Sequence, residues 1–144
     1  MKKSIITVTL FCLIALLTLS VSAYAEATKI EQQIEQTAQQ NDKIVRAACV
    51  VHKRDCVVCV QTKNINSKTE YNDYVADLKA KIKADFEIDN VYVCANPKVM
   101  RLIDKLQQLD EKQREAAIKR LIDAEKQRRS TGLLPLPTAL ELFK

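Results

Sequence analysis

The chain has 144 residues, enough for one domain with a modest core. Charged residues make up 28% and hydrophobic ones 47%, with one glycine (Gly132) and no tryptophan. A single glycine excludes a phosphate-cradling nucleotide loop, and so few aromatics exclude a stacking platform for nucleic acid or sugar. The formal charge is +5; without Lys2 and Lys3, 21 basic residues face 18 acidic ones, a mild excess of +3. That excess permits loose attraction to anionic membrane or wall polymers and makes no case for nucleic acid.

Met1-Lys2-Lys3 followed by an apolar run from Ile5 to Leu19 reads as the charged start and hydrophobic stretch of an export signal. Ala23-Tyr24-Ala25 supplies the small-x-small pattern of a cleavage site, which places the cut between Ala25 and Glu26. The competing reading is a retained anchor, weakened by Ser20 and Ser22. The division expected is 1–25 signal peptide, 26–108 small α+β domain, and 109–144 charged helix and apolar tail.

From Glu26 to Asp42 the chain is polar, with Ile30, Ile34 and Ala38 forming a thin apolar stripe, as in a helix laid on a domain edge. The runs 47–52 and 56–61 are short and valine-rich, which fits a β-hairpin. Its turn, Lys53-Arg54-Asp55, lacks glycine, so a two-residue loop is disfavoured and a longer one expected. Ser67-x-x-Glu70 is a capping box opening a helix with Tyr71, Val75, Leu78 and Ile82 on one face. Asp85, Glu87 and Asp89 are expected as solvated turn residues. Val91 to Cys94 reads as a third strand. Asn96 then caps a helix with Pro97 in its first turn and Val99, Met100, Ile103 and Leu106 as its buried stripe. Asp110 offers a cap for another helix running to about Arg129, whose dense mixed charges predict a solvated helix. Beyond Gly132 lies an apolar tail, Leu133 to Phe143. The order predicts an α+β fold: a small three-stranded sheet, hairpin plus one strand, packed with one helical layer and followed by a C-terminal helical extension.

The joint Val91-Tyr92-Val93-Cys94-Ala95-Asn96-Pro97, a strand running into an amphipathic helix, resembles the YhcN/YlaJ family of sporulation-associated lipoproteins of spore-forming bacteria, over about residues 44–108. The resemblance implies a role at the forespore membrane or spore envelope, connected with sporulation, germination or outgrowth. It carries over no catalytic residues. It also implies a lipobox cysteine, but the leader's Cys12 follows Phe11 and lies inside the hydrophobic stretch, which does not suit lipidation. A soluble or peripherally attached exported protein is expected.

After cleavage Cys49, Cys56, Cys59 and Cys94 remain, with His52, the sole histidine, among them. A redox pair at Cys56-x-x-Cys59 conflicts with strand alternation, which points residues three apart to opposite faces. A zinc site drawn from Cys49, His52, Cys56, Cys59 and Cys94 has suitable residue types, but alternation splits the ligands between the faces. The remaining reading is small buried residues with or without a disulfide, which an oxidising compartment permits. A three-residue turn would set Cys49 opposite Cys59; a two- or four-residue turn puts them on different faces. The resemblance supports the buried reading, because it implies small residues such as alanine at these strand positions. No cofactor, no metal and no enzymatic activity are expected. The expectation is an interaction protein, docking an envelope partner through the C-terminal helix and tail with peripheral membrane contact. The alternative is a secreted cysteine-based metal-binding or thiol-redox protein.

Overall fold

The structure, a computed structural model, describes residues 25–131. Helix α1 (residues 25–39) leads into strands β1 (Ile44–His52) and β2 (Asp55–Thr62), helix α2 (Lys68–Asp85), strand β3 (Asn90–Cys94), and helices α3 (Pro97–Leu106) and α4 (Glu111–Thr131). The strands form one mixed sheet in the order β1-β2-β3, with β1 antiparallel and β3 parallel to β2. A parallel neighbour requires a crossover, and α2 supplies it. The α+β class and the three-stranded sheet are therefore as the sequence predicts.

The helices cover both faces of the sheet, not one. Ala47, Cys49, Val51, Cys56, Val58, Val60, Val91 and Val93 pack with Ile34 and Ala38 of α1 and Leu78 and Ile82 of α2. Ala48, Val50, Val57, Cys59 and Cys94 pack with Val99, Ile103 and Leu106 of α3 and Ala117, Ile118, Leu121 and Ile122 of α4. The physical reason lies in β2, where Cys56-Val57-Val58-Cys59-Val60 holds no polar side chain and must be enclosed on both sides. The expectation of a solvated α4 is thereby corrected. Leu121 is fully buried, and each such aliphatic side chain contributes about 1.5–3 kcal/mol of burial free energy.

The hairpin turn also differs from expectation. His52 pairs with Asp55, so the loop is only Lys53-Arg54. Lys53 takes a left-handed φ of 56°, a conformation glycine would hold more cheaply. The turn is pinned from outside: the Arg54 carbonyl accepts from the amides of Asp89 (2.7 Å) and Asn90 (3.2 Å), and its guanidinium pairs with Asp89 at 3.1 Å.

Local capping follows the sequence closely. Asn96 Oδ1 accepts from the Lys98 amide at 2.9 Å, with Pro97 opening α3. Ser67 Oγ accepts from the Glu70 amide at 3.1 Å, and Asp110 Oδ1 accepts from the Gln113 amide at 2.9 Å. The return half of the first capping box differs slightly: Glu70 reaches the Asn66 amide and pairs with Lys43.

Candidate functional site

Two places concentrate polar chemistry: the β1 edge and the carboxyl ends of β2 and β3. At the first, α1 lies along an edge strand whose outward amides lack a neighbouring strand. Glu35 Oε1 accepts from the Cys49 amide at 2.8 Å, and Glu31 Oε1 accepts from the Val51 amide at 2.9 Å. The spacing suits the task. Residues four apart on a helix are separated by about 6 Å along its axis, and residues two apart on a strand by about 6.8 Å. The carboxylates thus stand where strand carbonyls would stand. Glu31 also accepts from Arg114 of α4 at 2.5 Å, and both side chains are 5% exposed. This pair ties the two helical layers together around the edge. Burial pushes the Glu31 carboxyl above its ordinary range, against the pull of the Val51 amide and of Arg114. Burial raises Glu35 in the same way, opposed by the Cys49 amide and Arg46.

The second place is a cavity of about 420 Å³ where β2 and β3 end and α3 begins. Its walls are the end of β2 from Cys59 to Thr62, the joint Ala95-Asn96-Pro97, and Met100, Arg101 and Asp104 of α3. Arg46 of β1 closes one side through a two-pronged contact with Asp104, one prong at 3.1 Å. A crevice at the carboxyl ends of parallel strands, beside a helix start, is where α/β sheets commonly receive ligands.

The sheet sorts the cysteines into two pairs, neither of them anticipated. With a two-residue turn, Cys49 lies opposite Val58 and Cys59 opposite Ala48, so the pair considered for a disulfide faces opposite sides of the sheet. Cys56 and Cys59 are split in the same way. Cys49 and Cys56 instead share the α1/α2 face, one step out of register. Burial, then a hydrogen bond with Cys56, drives the Cys49 thiol well above its ordinary range. On the α3/α4 face Cys59 and Cys94 are direct partners across the parallel ladder. The Cys59 thiol donates to the Asn96 carbonyl at 3.2 Å. It is held up first by its hydrogen bond to Cys94 and then by burial. Cys94 is correspondingly lowered by Cys59, against its own burial, with help from the Asn96 amide and Arg128. Cys94 is the more acidic thiol of the two.

His52 sits half-buried beside Asp55 at the hairpin end, away from Cys94. Among the described residues no group of three or more His, Cys, Asp or Glu side chains could hold a metal ion. Ala25 and Glu26, the expected cleavage junction, are exposed in the first turn of α1, and the leader with Cys12 lies outside the described residues. So does the apolar tail. Asp85, Glu87 and Asp89 are exposed, Asp89 on Arg54.

Sequence reasoning missed Glu31, Glu35, Arg114 and Glu125. Glu125 is fully buried and pairs with Arg128 at 3.0 Å and Arg129 at 3.7 Å. A usable signal existed in α1, where Glu31 and Glu35 each directly follow a stripe residue, Ile30 and Ile34, and so flank the buried face. Among the described residues no helix is long and apolar enough to cross a membrane.

No curated protein and no solved structure matches the chain. A family model described as sporulation lipoprotein YhcN/YlaJ matches residues 21–124. The match reaches beyond the 44–108 suggested by the strand-to-helix joint, taking in α1 and most of α4. It therefore covers every strand and both helical layers, and on that extent the chain belongs to the YhcN/YlaJ family of sporulation lipoproteins.

Proposed function

We propose that this is an exported, non-catalytic protein of the spore or forespore envelope, acting by interaction during sporulation, germination or outgrowth. Membership of the sporulation lipoprotein family is the observation that carries the reading. The use made of the buried ionisable groups supports it. Glu31 and Arg114 join helix to strand and layer to layer, and Glu125 gathers Arg128 and Arg129. These groups hold the scaffold. The outward surfaces of α2 and α4 carry mixed charge, including the Asp77–Lys81 pair at 3.1 Å, and suit a polar envelope partner or anionic polymer.

The test is fractionation of a sporulating culture of the native host, with intact-mass measurement of the recovered chain. Recovery in the spore envelope fraction, with a mass beginning at Glu26, is the expected result. Recovery in the cytoplasm of vegetative cells overturns the reading. A mass carrying lipid keeps the envelope assignment and overturns the expectation of a soluble or peripherally attached chain.

A further inference from the structure

We propose that Cys59 and Cys94 form a thiol–disulfide exchange site, in which the cavity at the ends of β2 and β3 admits a small-molecule disulfide and the two cysteines close to a cross-strand bridge. The inference stands independently of the envelope assignment.

Register supplies the first argument. Cys59 and Cys94 are Cα partners on neighbouring strands and share one face. Neighbouring strands lie about 4.8 Å apart, inside the usual disulfide span of about 4.4–6.8 Å between Cα atoms. Cys49 and Cys56 are offset diagonally, where the separation is about 7–8 Å and a bridge requires backbone movement. The molecule thus carries its own internal control.

Access supplies the second argument. Cys59, though as fully buried as Cys49 and Cys56, stands in the wall of the 420 Å³ cavity, whereas those two line none of the described cavities. Cys94 also occupies a favourable setting for exchange. Cys94 and Asn96 stand at the start of α3, whose backbone dipole favours negative charge, and Cys59 already donates toward this turn at Asn96.

The chemistry balances with a low-molecular-weight disulfide, R–S–S–R, as oxidant. Cys94, the more acidic thiol, takes the Cys59 proton along their hydrogen bond as the Cys59 sulfur attacks one sulfur of R–S–S–R, forming Cys59–S–S–R and releasing R–S⁻, which leaves as R–SH with that proton. The Cys94 sulfur then attacks Cys59 Sγ, and the second R–SH leaves with the Cys94 proton. Two electrons pass from the cysteine pair to the reagent. Thiol–disulfide exchange is reversible, so excess R–SH runs the reaction backward.

The test treats the reduced, folded full chain with bis(2-hydroxyethyl) disulfide, blocks residual thiols under denaturing conditions, and maps linkages by peptide mass spectrometry. A Cys59–Cys94 linkage, formed at least about tenfold faster than any modification of Cys49 or Cys56, is the expected result. In Cys94→Ser the second step has no nucleophile, and the Cys59 adduct should accumulate. Linkage of Cys49 with Cys56 first, a linkage through Cys12, or equal rates at all the cysteines overturns the proposal. So does complete inertness of Cys59 and Cys94 in the wild-type chain.

Discussion

Replacing Glu31 by alanine tests the strand-capping role of α1 most directly. The substitution removes the acceptor of the Val51 amide and the carboxylate facing Arg114, in a setting 3% exposed. A buried donor left without its partner costs about 1–3 kcal/mol, and loss of a charged hydrogen bond about 1.5–3 kcal/mol. Release of Glu31 from its own burial penalty offsets part of this, so a net loss of about 3 kcal/mol is expected. At about 4 °C per kcal/mol for a domain of this size, the midpoint of thermal unfolding should fall by about 12 °C. Glu35→Ala removes one backbone hydrogen bond at a half-buried site and should cost about 1 kcal/mol. Glu31→Gln keeps an acceptor for Val51 and should fall between the two. Urea titrations give the free energies, and amide hydrogen exchange gives the location. Exchange at Val51 should accelerate in Glu31→Ala, and exchange at Cys49 in Glu35→Ala. Equal losses in both variants, with Val51 exchange unchanged, would refute the idea that these carboxylates replace a missing strand.

Leu121→Ala should cost about 2–5 kcal/mol in a urea titration, because the side chain is fully buried under the sheet; a cost below about 0.5 kcal/mol would return α4 to the solvent. The pH dependence has two limbs of opposite sign. Glu31 and Glu35 are raised in the folded state, so their contribution is fully present below the usual 4.5 and is lost as pH rises through their folded values. Asp55 is lowered: burial opposes this, but hydrogen bonds from Lys126 and Asn90 prevail. Its contribution is present above the usual 3.8 and lost as pH falls through its folded value. Urea titrations across pH should therefore show Glu35→Gln flattening the slope above 4.5 and Asp55→Asn flattening the acid limb. Tyr74 donates to the Ala38 carbonyl at 3.1 Å, and burial pushes its hydroxyl up to about 12. Its contribution is present below the usual 10 and lost as pH rises through 12, so Tyr74→Phe should abolish the last step of a tyrosinate absorbance titration. The same variant should cost about 1 kcal/mol.

The parts of the fold legible in the sequence are those set by neighbours along the chain. Asn96-Pro97, Ser67 and Asp110 announce helix starts because each cap is a contact within one turn. The turn at Lys53-Arg54 was not legible, because its register is held by amides of Asp89 and Asn90 some thirty-five residues later. That one-residue difference put Cys49 on the face of Cys56 and not of Cys59, while the parallel ladder of β2 with β3 paired Cys59 with Cys94. The burial of α4 was obscured for a different reason. Its covered face runs from Arg114 through Ala117, Ile118, Leu121 and Ile122 to Glu125, so charged residues at both ends dilute the apolar stripe. Glu125 finds its partners, Arg128 and Arg129, one turn on in the same helix, whereas Arg114 is tolerated because Glu31 arrives from α1. Periodicity alone does not reveal that second partner. The unbroken apolar run of β2 did carry the double-sided cover, and it outweighs the count of helices as a guide to layering.

A three-stranded sheet has only one interior strand, so most of its backbone lies within reach of a passing chain. Here one margin is occupied by the carboxylates of α1. The other is occupied by Arg129, which donates to the Val93 carbonyl at 2.6 Å while stacking over the Tyr92 ring at 5.5 Å. An incoming strand meets fixed side chains where it would need vacant amides and carbonyls. Zippering into fibres through these margins is suppressed, and so is recruitment of a client peptide as a fourth strand. Outward helix charges that touch no strand, such as the Asp77–Lys81 pair of α2, can be altered without disturbing the sheet beneath them.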